Sequence, residues 1–290
     1  MERRLFLGRM AHGLALALAW PLTTHAAARP LRIGLTPAFL HDRHGLMAEW
    51  QAYLEQQLGR PVKFVLRDSY SDTMNLIKQG QLDAAWLCDY PYVLMKSRVR
   101  LLATPLNEGR PYYRSYLIVS ALDTTTKSIT DLAGKVFAYA DPFSNTGYLA
   151  PRYELTRRGV DPRGHFRKTF FTWSHRKAVE AVALHLADGA AVDSYIWESL
   201  AKVEPDLTRR TRVVTRSVEF GFPPFVANNT LAEADYQALR RVLMEMAKNA
   251  QGRELLAKLH LDGFIEASPA LYANVEEMVR LAGERPNADF

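Results

Sequence analysis

The sequence predicts an α/β protein of two lobes, each a mainly parallel sheet flanked by helices, the two joined by a pair of crossing strands. Three observations predict it. Short apolar runs alternate with helix-period segments, which is the pattern of a parallel sheet covered on both faces. The alternation occurs twice, in residues 31–104 and again in 135–195. Two isolated strand-like runs, Tyr116–Ser120 and Thr211–Thr215, stand where the chain must pass from one set to the other and back.

The elements follow in order. Leu31–Leu35 reads as the first strand. Gly45–Leu58 reads as a helix, because Leu46, Trp50, Tyr53, Leu54 and Leu58 recur at helical spacing. Val62–Leu66 is a second strand, Ser71–Gln79 a helix stopped by Gly80, and Leu82–Leu87 a third strand. A short helix over Tyr92–Ser97 and a strand over Arg100–Thr104 complete the first set. The second set comprises a strand at Lys135–Ala140, a helix at Thr146–Arg158 and a strand at Lys168–Trp173. It continues with a helix at His175–Ala187, turning Ala178, Val179, Val182 and Leu186 inward, and a strand at Ala190–Tyr195. The tail reads as helical: Thr230 with Glu233 forms a capping box, and Ser268-Pro269 an N-cap followed by N1 proline. The divisions expected are a signal peptide at 1–28, lobe 1 at 29–116, lobe 2 at 117–213, and a return to lobe 1 with C-terminal helices at 214–290.

Residues 1–28 carry the marks of an export signal: Arg3, Arg4 and Arg9, a short apolar stretch from Leu14 to Leu22, and small residues around Ala26-Ala27-Ala28. The apolar stretch is too short for a comfortable membrane span, and Arg3-Arg4-Leu5-Phe6-Leu7 leaves Sec and Tat export both open. The expected location is therefore the periplasm, with no transmembrane anchor in the mature chain. The full chain has a net charge of +6 without a polybasic tract, which disfavours a nucleic-acid partner. A single cysteine, Cys88, excludes an internal disulfide, so packing alone must hold the 48% hydrophobic chain together. His41, His44, His165, His185 and His260 lack metal-ligand spacing, and no cofactor is indicated.

The segment Asp141-Pro142-Phe143-Ser144-Asn145-Thr146-Gly147-Tyr148-Leu149-Ala150-Pro151 lies between a strand and a helix start. The first amides of a helix have no internal partners and sit at the positive end of its dipole, so such a turn can hold an anion. Ser144 and Thr146 add hydroxyls, and Gly147 admits close backbone approach. The same residues would also serve as an ordinary N-cap. Two open α/β units linked by two crossings place a ligand at the carboxyl ends of strands, in the cleft between lobes.

These residues resemble a known family. Asp141-Pro142-x-Ser144-x-Thr146-Gly147-Tyr148-Leu149-x-Pro151 resembles the ligand loop of PhnD-like binding proteins of phosphate, phosphite and phosphonate ABC importers. Tyr113-x-Ser115-x-x-Ile118-Val119, Ser174-His175, Val192-Asp193-Ser194-Tyr195 and Leu82-Asp83-x-Ala85-Trp86-Leu87 are similar to their other conserved pieces in order and spacing. The resemblance covers nearly all of residues 31–265 and implies a type II periplasmic binding protein fold. It further implies capture of a tetrahedral oxyanion and delivery to an inner-membrane ABC permease, usually by a monomer. By that analogy Ser144, Asn145, Thr146 and Gly147 hold the oxyanion, His175 donates to it, and Tyr92, Tyr113, Ser115 and Asp193 complete or gate the cleft. Four of these have an ordinary alternative: His175 as the first residue of its helix, Asp193 as a turn cap, and Tyr92 and Tyr113 as cleft-wall or core aromatics.

Two positions depart from the pattern. Asn145 stands where the loop often has Ser or Thr, and Cys88 ends the third strand where a small residue such as Gly is usual. Cys88 is either a small buried hydrophobe or a cleft thiol. The second possibility resembles periplasmic arsenite-binding sensors of the same fold, which imply a histidine-kinase partner and Cys88 as an arsenite ligand. A thiol enzyme pairing Cys88 with His175 as base would need the two within hydrogen-bond reach, and no third orienting group is evident. The leading expectation is a non-enzymatic solute-binding protein.

Overall fold

A computed structural model describes residues 29–36 and 44–282. The predicted signal segment 1–28 and His41 lie outside the described residues. Among the described residues, no helix is long and apolar enough to cross a membrane.

The first sheet has six strands in the order β13-β4-β12-β3-β1-β2. Here β1 is Leu31–Leu35, β2 Val62–Leu66, β3 Ala84–Trp86, β4 Val99–Leu106, β12 Phe225–Asn228 and β13 Gly263–Ile265. At its centre β1 pairs in parallel with β2 and β3. The wholly apolar β3, Ala84-Ala85-Trp86, is buried, as a strand covered on both faces requires. Helix α1 (His44–Leu58) lays Trp50, Tyr53 and Leu54 on one face. The Trp50 ring meets Trp86 edge-on at 5.9 Å, and Trp86 stacks on Phe225 at 5.2 Å. The other face takes Met74 and Ile77 from α2 (Tyr70–Lys78) and Tyr92 from α3 (Asp89–Met95). A Cβ at Gly34 would stand 2.6 Å from Leu82 Cδ1, so glycine is what allows this face to pack closely.

The second sheet runs β10-β6-β9-β7-β8. Its strands are β6 (Ser115–Ser120), β7 (Val136–Tyr139), β8 (Lys168–Phe171), β9 (Gly189–Asp193) and β10 (Thr211–Arg216). Strand β7 is parallel to both β8 and β9. Its core contains Leu117, Phe137, Tyr139, Leu155 and Phe166, with Phe137 stacked on Phe166 at 4.3 Å.

Both sheets are mixed, and the reason is the crossings. Strand β6 enters lobe 2 from the far side and runs antiparallel to β9. Strand β12, returning to lobe 1, wedges antiparallel between β3 and β4. The two passages pair as a short antiparallel ribbon of β5 (Tyr112–Tyr113) and β11 (Phe220–Gly221). The Tyr113 ring packs there against Phe220 and Phe222.

Several local expectations need correction. The Thr230–Glu233 capping box is not formed: α7 (Glu233–Glu245) starts after Ala232, and the Thr230 hydroxyl instead donates to Asn228 Oδ1 at 2.9 Å. Helix α5 (His175–Ala183) stops early, because His185 takes a left-handed φ of 58° and the Leu186 amide bonds back to Ala181. Leu186, expected inward, is consequently 65% exposed. The tail also contains β12 and β13, strands too short to show a period. The predicted Tyr92–Ser97 helix begins earlier, at Asp89. Ser268-Pro269 does cap as expected, with the Ser268 hydroxyl accepting from the Ala270 amide.

Candidate functional site

The second lobe offers its carboxyl edge through two turns. After β7, Asp141 to Ser144 lead into a π-helical turn, Asn145–Leu149, that continues as α4 (Ala150–Arg157). The N-cap is Ser144, whose Oγ accepts the Gly147 amide at 3.0 Å. His175, first residue of α5, supports it from behind. Its Nδ1 accepts the Asp193 amide at 3.1 Å, which places the ring proton on Nε2, 3.2 Å from Ser144 Oγ. Burial pulls the His175 pKa down to about 3, so the ring is a neutral donor. Both lone pairs of the Ser144 oxygen are thereby filled, and its hydroxyl hydrogen remains to donate elsewhere.

The turn is held tightly. Ser115 Oγ donates to the Thr146 carbonyl at 2.6 Å. A Cβ on Gly147 would stand 2.5 Å from Ala140 Cβ and 2.9 Å from His175 Cε1, so this position must be glycine. Two polar atoms of the turn, Asn145 Oδ1 and Thr146 Oγ1, are buried with no hydrogen-bond partner among the described residues. Buried polar groups normally find one, so these point to a ligand's place. Asp193 caps α6 (Ser194–Val203) through Oδ1, which accepts the amides of Tyr195 and Ile196. Burial nevertheless pushes its carboxyl up to about 8.

Lobe 1 presents a different edge. Cys88 is the N-cap of α3 without a side-chain cap, and Asp89 is its first residue. The thiol donates to Asp89 Oδ1 at 3.1 Å and lies 3.7 Å from the Tyr113 hydroxyl. Burial, then the Asp89 charge, raise the Cys88 pKa well above its ordinary value, keeping it a thiol. Asp89 Oδ1 accepts the Tyr113 hydroxyl at 2.6 Å and the Tyr90 amide at 2.9 Å. Its Oδ2 accepts Asn145 Nδ2 at 2.8 Å from the other lobe. Burial raises Asp89 to about 6 against those hydrogen bonds. A second contact between lobes joins the Tyr70 amide to Asp141 Oδ2 at 3.1 Å, and Phe143 packs against Tyr70 and Cys88.

Of the residues expected at the site, Ser144, Asn145, Thr146, Gly147, Ser115, His175 and Asp193 form one connected cluster, and Cys88 and Tyr113 join it through Asp89. Tyr92 sits apart, its ring 4.8 Å from Tyr272 in the lobe 1 core. Sequence reasoning missed Asp89, Tyr70 and the inter-lobe role of Asp141. Asp89 carried a readable signal: it follows an apolar strand at its carboxyl end, where ligands of open sheets sit. The enzyme-like pairing of Cys88 with His175 is not formed, since the ring nitrogens face Ser144 and the Asp193 amide while the thiol faces Asp89 and Tyr113. Among the described residues no group of three or more His, Cys, Asp or Glu stands ready to hold a metal.

Comparison with known proteins places this architecture. The family model for the periplasmic substrate-binding protein of phosphonate ABC transporters matches residues 33–272. The phosphate-import protein PhnD of Mycolicibacterium smegmatis is 25% identical over 243 residues, covering 78% of this chain and 75% of that protein. A binding-protein component of a Pseudomonas aeruginosa ABC phosphonate transporter superposes with a TM-score of 0.81 at 23% identity, over 88% of this chain and 87% of that one. PhnD1 of Prochlorococcus marinus, solved with methylphosphonate, gives a TM-score of 0.80 at 22% identity, over 88% and 98% of the two chains. Fold, turn and match along the chain agree: this protein belongs to the family of periplasmic substrate-binding proteins of phosphonate ABC transporters.

Proposed function

We propose that the cleft captures a small tetrahedral oxyanion of the phosphate, phosphonate or phosphite class and presents it to an ABC permease. The observation that carries this reading is the Ser144 hydroxyl, whose oxygen is filled by the Gly147 amide and His175 and whose hydrogen is left to donate at the start of a helical turn. Thr146 Oγ1 stands two residues on, buried and unpartnered. Neutral donors and helix-end amides bind anions without a buried cation. The relatives agree: one is a phosphate-import protein and another was solved with methylphosphonate.

Ligand contacts from both lobes favour the closed form, and the permease reads that shape. The working protein is then a periplasmic monomer exported by its first 28 residues. Titration calorimetry of the purified protein against phosphate, phosphite, methylphosphonate and 2-aminoethylphosphonate tests the reading. At least one ligand should bind, and Thr146→Ala and His175→Ala should each weaken it about 10- to 100-fold, the loss of one or two charge-assisted hydrogen bonds. Undiminished affinity in both variants removes the site assignment.

A further inference from the structure

We propose that Asp89 makes the cleft selective for oxyanions that carry a proton, so that phosphonates and protonated phosphate are accepted and sulfonates and sulfate are refused. This rests on the oxyanion reading and deepens it.

The geometry starts with what faces the donor turn. Asp89 Oδ2 is 2.8 Å from Asn145 Nδ2, inside the turn assigned to the ligand. That contact fixes the orientation of the amide, because flipping it would set Asn145 Oδ1 against a carboxylate oxygen. Asn145 Oδ1 is then a buried acceptor with no donor. Among the described residues Asp89 Oδ2 accepts one hydrogen bond, while Oδ1 accepts three groups: the Tyr113 hydroxyl, the Cys88 thiol and the Tyr90 amide. The turn thus has unfilled acceptors beside its donors, and a ligand must bring a hydrogen of its own to satisfy them.

The charges around the cluster reinforce this. Asp141 and Asp193 are buried with Asp89. The leading charges that act on Asp141 and Asp193 are acidic: Asp72 on Asp141, and Asp89 and Glu198 on Asp193. Tyr113 donates to Asp89, and Tyr70, Tyr113 and Tyr272 are each held protonated, chiefly by burial. His175 is neutral. A fully ionised oxyanion would lay a lone pair against Asp89 in a dry site. A monoprotonated phosphonate instead donates its P–OH to the carboxylate and receives the turn's hydrogen bonds with its remaining oxygens. Methanesulfonate has the shape of methylphosphonate but no proton to give, so the two separate hydrogen-bond selection from size and shape. Sites that demand a hydrogen bond reject isosteres lacking it far more strongly than apolar pockets discriminate by size.

The experiment measures affinity for methylphosphonate, phosphite, phosphate, methanesulfonate and sulfate by calorimetry, for the wild type and Asp89→Asn, at pH 7.5 and pH 5. Wild type at pH 7.5 should prefer methylphosphonate over methanesulfonate by about 100-fold or more. Asp89→Asn, whose amide can donate, should shrink that ratio by at least about 10-fold, mainly by admitting methanesulfonate. Burial raises Asp89 to about 6, so at pH 5 its protonated carboxyl also donates and the wild-type ratio should fall. The pH comparison needs no variant and tests the selectivity even where Asp89→Asn fails to fold, with Asp141, also raised to about 6, titrating over the same range. Equal binding of methylphosphonate and methanesulfonate by the wild type, a pH-independent ratio, or an unchanged ratio in folded Asp89→Asn overturns the selectivity and leaves the oxyanion reading standing. Binding of no phosphorus oxyanion overturns both.

Discussion

In lobe 2 strand β7 runs into a serine-capped turn whose amides and hydroxyls offer hydrogens; in lobe 1 strand β3 runs into Cys88-Asp89, whose carboxylate accepts them. Both edges lie at the carboxyl end of a central strand and at the start of a helix, so backbone architecture alone would make both anion receivers. The side chain at the first helical positions reverses one of them. Asp89 supplies negative charge to the α3 N-terminus from within the chain, whereas lobe 2 leaves Ser144 and Thr146 as donors. The difference teaches that, on the reading proposed above, one lobe would hold and the other select, and that the Asn145–Asp89 contact joins the two edges.

The sharpest way to break this division is Gly147→Ala. The new Cβ would stand 2.5 Å from Ala140 Cβ and 2.9 Å from His175 Cε1. It should abolish binding, by more than about 100-fold, and lower the thermal midpoint by about 2–6 °C, as overpacking costs about 1–3 kcal/mol. Near-native affinity in calorimetry would show that the lobe 2 turn is not the holding edge.

The next effect concerns burial of charge on lobe 2. The Asp193 carboxyl is raised to about 8, so the folded chain binds a proton that the unfolded chain has released above about pH 4. Its contribution to stability is full below that value and is lost as pH rises through about 8. Asp193→Asn keeps an oxygen to cap α6 and removes the charge. The variant's thermal midpoint, relative to wild type, should therefore improve from pH 5 to pH 9. A difference that stays constant across that range would mean the carboxyl is not charged in a dry setting. His175 acts in the opposite sense: its pKa is lowered to about 3, so its contribution is present above about pH 6.5 and is lost as pH falls towards 3.

The smallest effect should come from Cys88→Ser. Its raised pKa keeps the thiol neutral, and a serine hydroxyl can still donate to Asp89. Affinity for a phosphorus oxyanion should stay within about 3-fold of wild type, since one neutral hydrogen bond replaces another. A loss of 10-fold or more in the same calorimetric series would make the sulfur itself a ligand contact.

The lobe 2 edge was largely legible because its signals are local: small polar residues, a glycine and a helix start within the eleven residues that follow a strand, with Ser174-His175 and Asp193 marking the neighbouring turns. The lobe 1 edge was legible only in part. Cys88 stood out for its rarity; Asp89 could be read only as an acid at a strand's carboxyl end, and its partners Tyr113 and Asn145 arrive from 24 and 56 residues away. Tyr92, a reasonable cleft aromatic in one dimension, turns to Tyr272 in the core because α3 begins at Asp89 and sets the helix phase.

By itself the sequence determined the alternation of strands and helices, the double passage between lobes and the donor turn, because periodicity, capping and close backbone approach are properties of neighbouring residues. Tertiary structure decided the rest. Antiparallel insertion of β12 depends on the direction from which the chain returns. The neutral state of His175 and the raised carboxyls of Asp89 and Asp193 depend on burial, and the pairing of Asp89 with Asn145 depends on how the lobes meet. Desolvation and contact across a cleft are set by groups distant in the chain, so no local pattern encodes them.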